Sequence, residues 1–183
     1  LHLCHHNLET IDTKSKTSTD TLLLEVCMAA KYEGNSIDTH YPKHEQTNKD
    51  SQICTVLARS FADIGDIIRG KDLYIGNKKE NKQRKQLEHN LKKIFENIKK
   101  SDAKLTDLND DQIREYWWEL NRETVWKALT CDAPEDASYF RTTCSDTKGS
   151  SVANHKCRCK KNDGKNETDQ VPTYFDYVPQ FLR

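Results

Sequence analysis

The residues most able to do chemistry in this 183-residue chain are seven cysteines, at positions 4, 27, 54, 131, 144, 157 and 159. Three chemistries are open to them: metal ligation, nucleophilic attack and disulfide bonding. Zinc ligation asks for paired C-x-x-C knuckles or a finger spacing, and the wide gap from Cys131 to Cys144 supplies neither. Nucleophilic attack asks for a base beside the thiol. The stretch "LCHH" places His5 and His6 next to Cys4, but sequence neighbours seldom make a nucleophile and its base, and no Walker loop, G-x-S-x-G or H-E-x-x-H accompanies it. The paired carboxylates Asp110 and Asp111 read as helix-start charges rather than as an acid pair. The chain is therefore expected not to be an enzyme and to need no cofactor or metal.

Disulfide bonding remains, and a density of seven cysteines suits an oxidising compartment. Cys27 and Cys54 each lie on the apolar stripe of a predicted helix, so antiparallel packing predicts a Cys27–Cys54 bridge. Cys157 and Cys159 are too close in sequence to pair with each other comfortably. Each is expected to reach back to Cys131 or Cys144, in either of two connectivities. Cys4 is left over, with a partner upstream of the first residue. The competing reading is a secreted, cysteine-rich structural domain that binds zinc.

The second chemically suggestive pattern is charge. Net charge is zero, with 32% charged residues. Yet "NKKENKQRKQLEHNLKKIFENIKK", residues 77–100, holds nine Lys or Arg against three Glu, and an acidic stretch follows it. Arg84, Lys85, Lys92, Lys93, Lys99 and Lys100 belong to this basic run. A second knot, Lys156, Arg158, Lys160 and Lys161, surrounds the last two cysteines. Such clusters neutralise polyanions through several simultaneous contacts and counterion release. In an extracellular setting a sulfated glycosaminoglycan is the expected partner, and nucleic acid is not. The sequon Asn166-Glu167-Thr168 is compatible with glycosylation.

These groups must be positioned by helices, because helical spacing dominates the apolar pattern. Leu22, Leu23, Val26, Cys27 and Ala30 predict a first helix stopping near Gly34. Ile53, Val56, Leu57, Phe61, Ile64 and Ile68 predict a second, closed by Gly70. Leu87, Leu91, Ile94, Phe95 and Ile98 predict a third inside the basic run. A fourth carries Ile113, Tyr116, Trp117, Leu120, Thr124 and Ala128 along one side, with Trp118 and Trp126 packed from a second side. Strand alternation is scarce, and residues 35–50 and 145–170 read as long polar loops. The expected fold is all-α, a disulfide-braced helical bundle. The longest apolar stretch, "TLLLEVCMAA", is too short to span a bilayer. The amino terminus is not a signal peptide, so the chain reads as a fragment of a longer one.

The motifs "LLLEVCMAAKYEGNSI", "CTVLARSFADIGDIIRGKDLY", "REYWWELNRETVWKALTC", "KCRCKK" and "VPTYFDYVPQFLR" resemble, in this order, the Duffy-binding-like domain of malaria-parasite adhesins. More narrowly they resemble the N-terminal alpha class in the variant erythrocyte membrane proteins of Plasmodium falciparum. The resemblance covers residues 1–183. It implies an adhesion domain on the infected red-cell surface, carried by a larger transmembrane protein, antigenically variable and met by antibodies. It implies host red-cell or endothelial receptors: heparan sulfate-type glycans, complement receptor one or blood-group sugars, with rosetting or cytoadherence as the outcome. Residues 1–176 would form the first and second subdomains and residues 177–183 the start of a third. An upstream cysteine-bearing segment and the rest of that third subdomain are lacking.

Overall fold

The structure, a computed structural model, describes residues 19–48, 52–73, 76–146, 149–159 and 171–183. Its frame is four helices: α1 (Thr19–Thr47), α2 (Ile53–Arg69), α3 (Lys78–Ser101) and α4 (Asp110–Leu129). The fold is mostly helical, as the apolar spacing implies. Helix α2 sits deepest, with Leu57, Ala58, Phe61 and Ile68 almost wholly buried. It ends where expected: Gly70 takes the left-handed conformation (φ 72°), and the Lys71 N–H returns to the Asp66 carbonyl at 2.7 Å. Helices α3 and α4 each begin with a capping box, Asn77 with Glu80 and Asn109 with Gln112. Asp110 and Asp111 occupy the first turn of α4, where carboxylates oppose the helix dipole.

Four expectations are corrected, three in the secondary structure and one in the disulfides. Helix α1 does not stop at Gly34 but runs on through Pro42 to Thr47, so most of the stretch read as a polar loop is helix. Gly34 is a contact point: a Cβ there would fall 2.0 Å from the carbonyl oxygen of Leu129. Its missing side chain lets α1 and α4 touch backbone to backbone. On α4 the buried set is Ile113, Arg114, Trp117, Trp118, Val125, Trp126 and Leu129, while Tyr116 and Leu120 point to solvent. The tryptophans set the orientation because they bury the most area. Phe61 of α2 lies between them, 5.1 Å from Trp118 and 5.2 Å from Trp126 by ring centroids.

The third correction is a small antiparallel hairpin, β1 (Thr142–Asp146) with β2 (Gly149–Val152), which overlaps the stretch read as loop from residue 145 onward. Its strands, "TTCSD" and "GSSV", have almost no apolar residues to alternate, and a bulge separates Thr142 from Cys144. The hairpin is held by a cross-link rather than by a hydrophobic face.

That cross-link joins Cys144 to Cys159, and a second joins Cys54 to Cys157. The expected Cys27–Cys54 bridge is absent, and Cys131 bonds neither Cys157 nor Cys159. Cys27 is half-buried with a free thiol, and Cys131 is exposed with a free thiol. The physical reason lies in the turn enclosed by an isolated antiparallel bridge between His155 and Arg158. Lys156 and Cys157 both have positive φ, 50° and 58°, which sends Cys157 toward α2 while Cys159 faces the hairpin. The Trp126 indole N–H fixes this turn by donating to the Cys157 carbonyl at 3.2 Å. Cys4 and Asn166 lie outside the described residues.

The last stretch, residues 171–183, lies across α2 and α4 as a strap with short 3-10 turns at Phe175–Tyr177 and Gln180–Leu182. Its anchor is the wholly buried Asp176. Arg122 grips it with two bonds of 2.7 and 2.8 Å, and the Trp118 indole adds a third at 2.9 Å.

Candidate functional site

Helix α3 carries the strongest charge asymmetry, and its core side is set by Leu87, Leu91, Ile94, Phe95 and Ile98. At about 100° per residue, Lys78, Lys82, Lys85, His89 and Lys92 then fall within a sector about 80° wide on the opposite side, over about 21 Å of helix. All five are exposed. Their separations of four, three, four and three residues are those of a helical stripe, here written in four lysines and a histidine rather than in hydrophobes.

Two depressions run beside this stripe. One, of about 530 Å³, lies between α3 and the turn after α2 and is lined by Gly70, Asp72, Arg84, Lys85, His89 and Lys92 among others. The other, of about 550 Å³, is bounded by Lys78, Asn81, Lys82, Lys85 and Gln86. They share Asn81 and Lys85, so the two adjoin along the first two-thirds of α3 and together form the trough of this face. Its floor is braced from below. Arg114 of α4 donates to both Glu88 oxygens, at 2.7 and 3.0 Å, and to the Ile67 and Ile68 carbonyls that end α2. One buried guanidinium thus fixes α2, α3 and α4 at the mouth of the trough.

The basic residues singled out in the sequence divide by place. Lys85 and Lys92 stand on the trough, with Lys92 also 3.9 Å from Glu88. Lys93 and Lys100 are exposed on the same outward side of α3, beyond the trough. Arg84 turns inward and pairs with Asp72; burial pulls its pKa below the ordinary guanidinium value, and the nearby Asp63 opposes that. Lys99 is half-buried and donates to the Leu108 carbonyl. The second knot is structural where it is described. Arg158 donates to Thr130 Oγ1 and the Lys127 carbonyl at the end of α4, and Lys156 pairs with Glu135 and bonds the Cys131 carbonyl. Lys160 and Lys161 lie outside the described residues. Sequence reasoning missed Lys78, Lys82 and His89, although their four-three spacing with Lys85 and Lys92 was legible once the core stripe was placed.

Chemically this arrangement suits an elongated, multiply charged anion, because the basic groups are spread along a line on an open face rather than gathered around one point. Among the described residues no cluster of His, Cys, Asp and Glu is placed to hold a metal ion. Among them, too, no helix is long and apolar enough to cross a membrane.

Comparison with known proteins adds three findings. A family model for the Duffy binding domain matches residues 1–183. The fold is similar to the NTS-DBL1(alpha-1) domain of Plasmodium falciparum membrane protein 1 (PfEMP1) from the varO strain. There the identity is 39% and the TM-score 0.74, over 99% of this chain and 40% of that one. It is also similar to the ICAM-1-binding DBLbeta domain of PfEMP1 IT4var13, at 29% identity and a TM-score of 0.66, over 100% of this chain and 39% of that one. The same DBLbeta domain bound to ICAM-1 matches at 31% identity and a TM-score of 0.62, over 99% and 40%. The chain therefore spans about two-fifths of the solved chains it matches. No curated protein matches it.

Proposed function

Since the chain belongs to the Duffy binding domain family, we propose that it is part of an extracellular adhesion module that binds host receptors and performs no catalysis. A relative named for binding ICAM-1 supports a host-protein class of receptor. The observation that carries the reading furthest for this chain is the cationic trough on α3. It favours a sulfated glycosaminoglycan of the heparan sulfate type as one ligand, bound through Lys78, Lys82, Lys85, Lys92 and the adjoining Lys93 and Lys100. Display on the infected red cell as part of a larger membrane protein, antibody recognition, and rosetting or cytoadherence belong to the same reading. So does the division into two subdomains over residues 1–176 and the beginning of a third at 177–183.

The test is retention of the oxidised, folded chain on immobilised heparin, beside a complete domain of the same class. Several cations acting at once should give retention that falls steeply with salt, whereas a neutral sugar column should show no such slope. Elution at the lowest salt, indistinguishable from a protein without the basic stripe, would overturn the glycan assignment.

A further inference from the structure

One carboxylate stands between the trough and the C-terminal strap. Asp72, in the turn after α2, accepts from Arg84 through Oδ2 and from the Gln180 side-chain amide through Oδ1, the latter at 3.2 Å. Gln180 in turn accepts the Leu73 backbone N–H through Oε1 at 2.7 Å. A chain of hydrogen bonds therefore runs from α3 to the strap: Arg84, Asp72, Gln180, then back to the backbone at Leu73. A second route runs parallel. Arg84 feels the charge of Asp63, which lies 3.5 Å from Arg183, and Arg183 also pairs with Asp66. Both routes end on residues 180–183, and both begin at the one arginine that lines the trough.

We propose that Asp72 is a positioning residue that couples occupancy of the α3 trough to the seating of the C-terminal strap. The proposal rests on the trough being an anion site, as argued above. Arg84 and Asp72 are both mostly buried, at 19% and 15% side-chain exposure, so their attraction is only partly screened. An anionic group entering beside Lys85 and His89 competes with Asp72 for the Arg84 guanidinium, and it repels the Asp72 carboxylate directly. Either effect turns Asp72 out of the orientation in which its two oxygens serve different partners. Gln180 then loses its fixed acceptor, and the Leu73 N–H loses a fixed partner. Ligand on α3 thus loosens the strap. By reciprocity, whatever pins the strap harder weakens anion binding by the same factor.

Hydrogen exchange at the Leu73 amide reads this coupling, with the core segment around Ile94 as internal reference. Arg84→Gln should speed Leu73 exchange several-fold without a ligand, and Asp72→Asn, which keeps the side-chain shape, should do the same. A heparin oligosaccharide should speed it in the wild-type protein and add little in Arg84→Gln. Unchanged Leu73 exchange in both variants, with helical circular dichroism intact, overturns the proposal whatever heparin does. So does bound heparin that leaves Leu73 protected in the wild-type protein. If heparin does not bind at all, the glycan reading fails separately, and inorganic sulfate at high concentration becomes the probe: acceleration at Leu73 supports the coupling, and its absence overturns it.

Discussion

Gly34 of α1 lies so close to Leu129 of α4 that a Cβ at position 34 would meet the Leu129 carbonyl oxygen at 2.0 Å. The obstacle is backbone, which cannot rotate away as a side-chain tip would. Gly34→Ala should therefore destabilise the fold, even though alanine favours a helix interior by up to about 1 kcal/mol. Overpacking of this kind costs about 1–3 kcal/mol, and this contact belongs at the upper end. Thermal or denaturant unfolding should show a lower midpoint. Equal or higher stability would mean that α1 and α4 do not touch at this point.

The cysteine pattern predicts a specific labelling result. Non-reducing peptide mapping should recover 54–157 and 144–159 links, and no 27–54 link. Cys131, exposed, should alkylate readily in the native protein. Cys27 should lag, because burial pushes its thiol pKa up to about 11. The reactive thiolate is then about 0.1% of Cys27 at pH 8, against roughly a quarter for a thiol of ordinary pKa near 8.5. Its alkylation rate should rise about tenfold per pH unit until the pH approaches 11.

Removing a buried acceptor from the strap should be costly. Asp176 is wholly inaccessible and neutralises Arg122, itself mostly buried. Asp176→Ala would leave that guanidinium without its carboxylate and the Trp118 indole N–H without an acceptor. Breaking one side of a buried pair typically costs about 3–5 kcal/mol. Unfolding by urea should show a loss of that order, and a change below about 1 kcal/mol would mean that water replaces the carboxylate.

On α3 the binding face and the scaffold should be separable. Replacing Lys82, Lys85 and Lys92 together by Gln should lower heparin retention and flatten its salt dependence, while leaving helicity and disulfides intact, since exposed lysines contribute little to stability. A charge-matched control, Lys31, Lys43 and Lys104 to Gln, removes three exposed cations away from the trough and should retain heparin better. Equal losses in the two variants would reduce the effect to net charge.

How far these features could be read in advance depended on what held each one. The apolar spacing of α2 and α3 and the glycine closing α2 were visible because each rests on local pattern. The α1 extension was not, because Gly34 and Pro42 carry a helix-breaking signal that packing on α4 overrides. On α4, two apolar registers compete along one helix, and the choice of Trp118 and Trp126 over Tyr116 and Leu120 depends on where Phe61 stands. The disulfide partners were hidden for a similar reason. Nothing local to Cys157 announces that its backbone turns left-handed and delivers it to Cys54. The basic run pointed to α3, along which the trough lies, but only the three-dimensional placement separates Lys85 on its rim from Arg84, tied down at its wall.

The Cys54–Cys157 bond closes a covalent ring across a sequence separation of 103 residues, and α3, α4 and the hairpin lie wholly inside it. A single backbone cut anywhere between these two cysteines opens the ring without dividing the molecule. The surface-facing turn between α3 and α4 can thus be nicked by a protease with both new ends still attached to the core. Helix α1 and the strap sit outside the ring and have no such protection, so limited digestion under non-reducing conditions should shed material from the two ends of the chain before it sheds any from the middle.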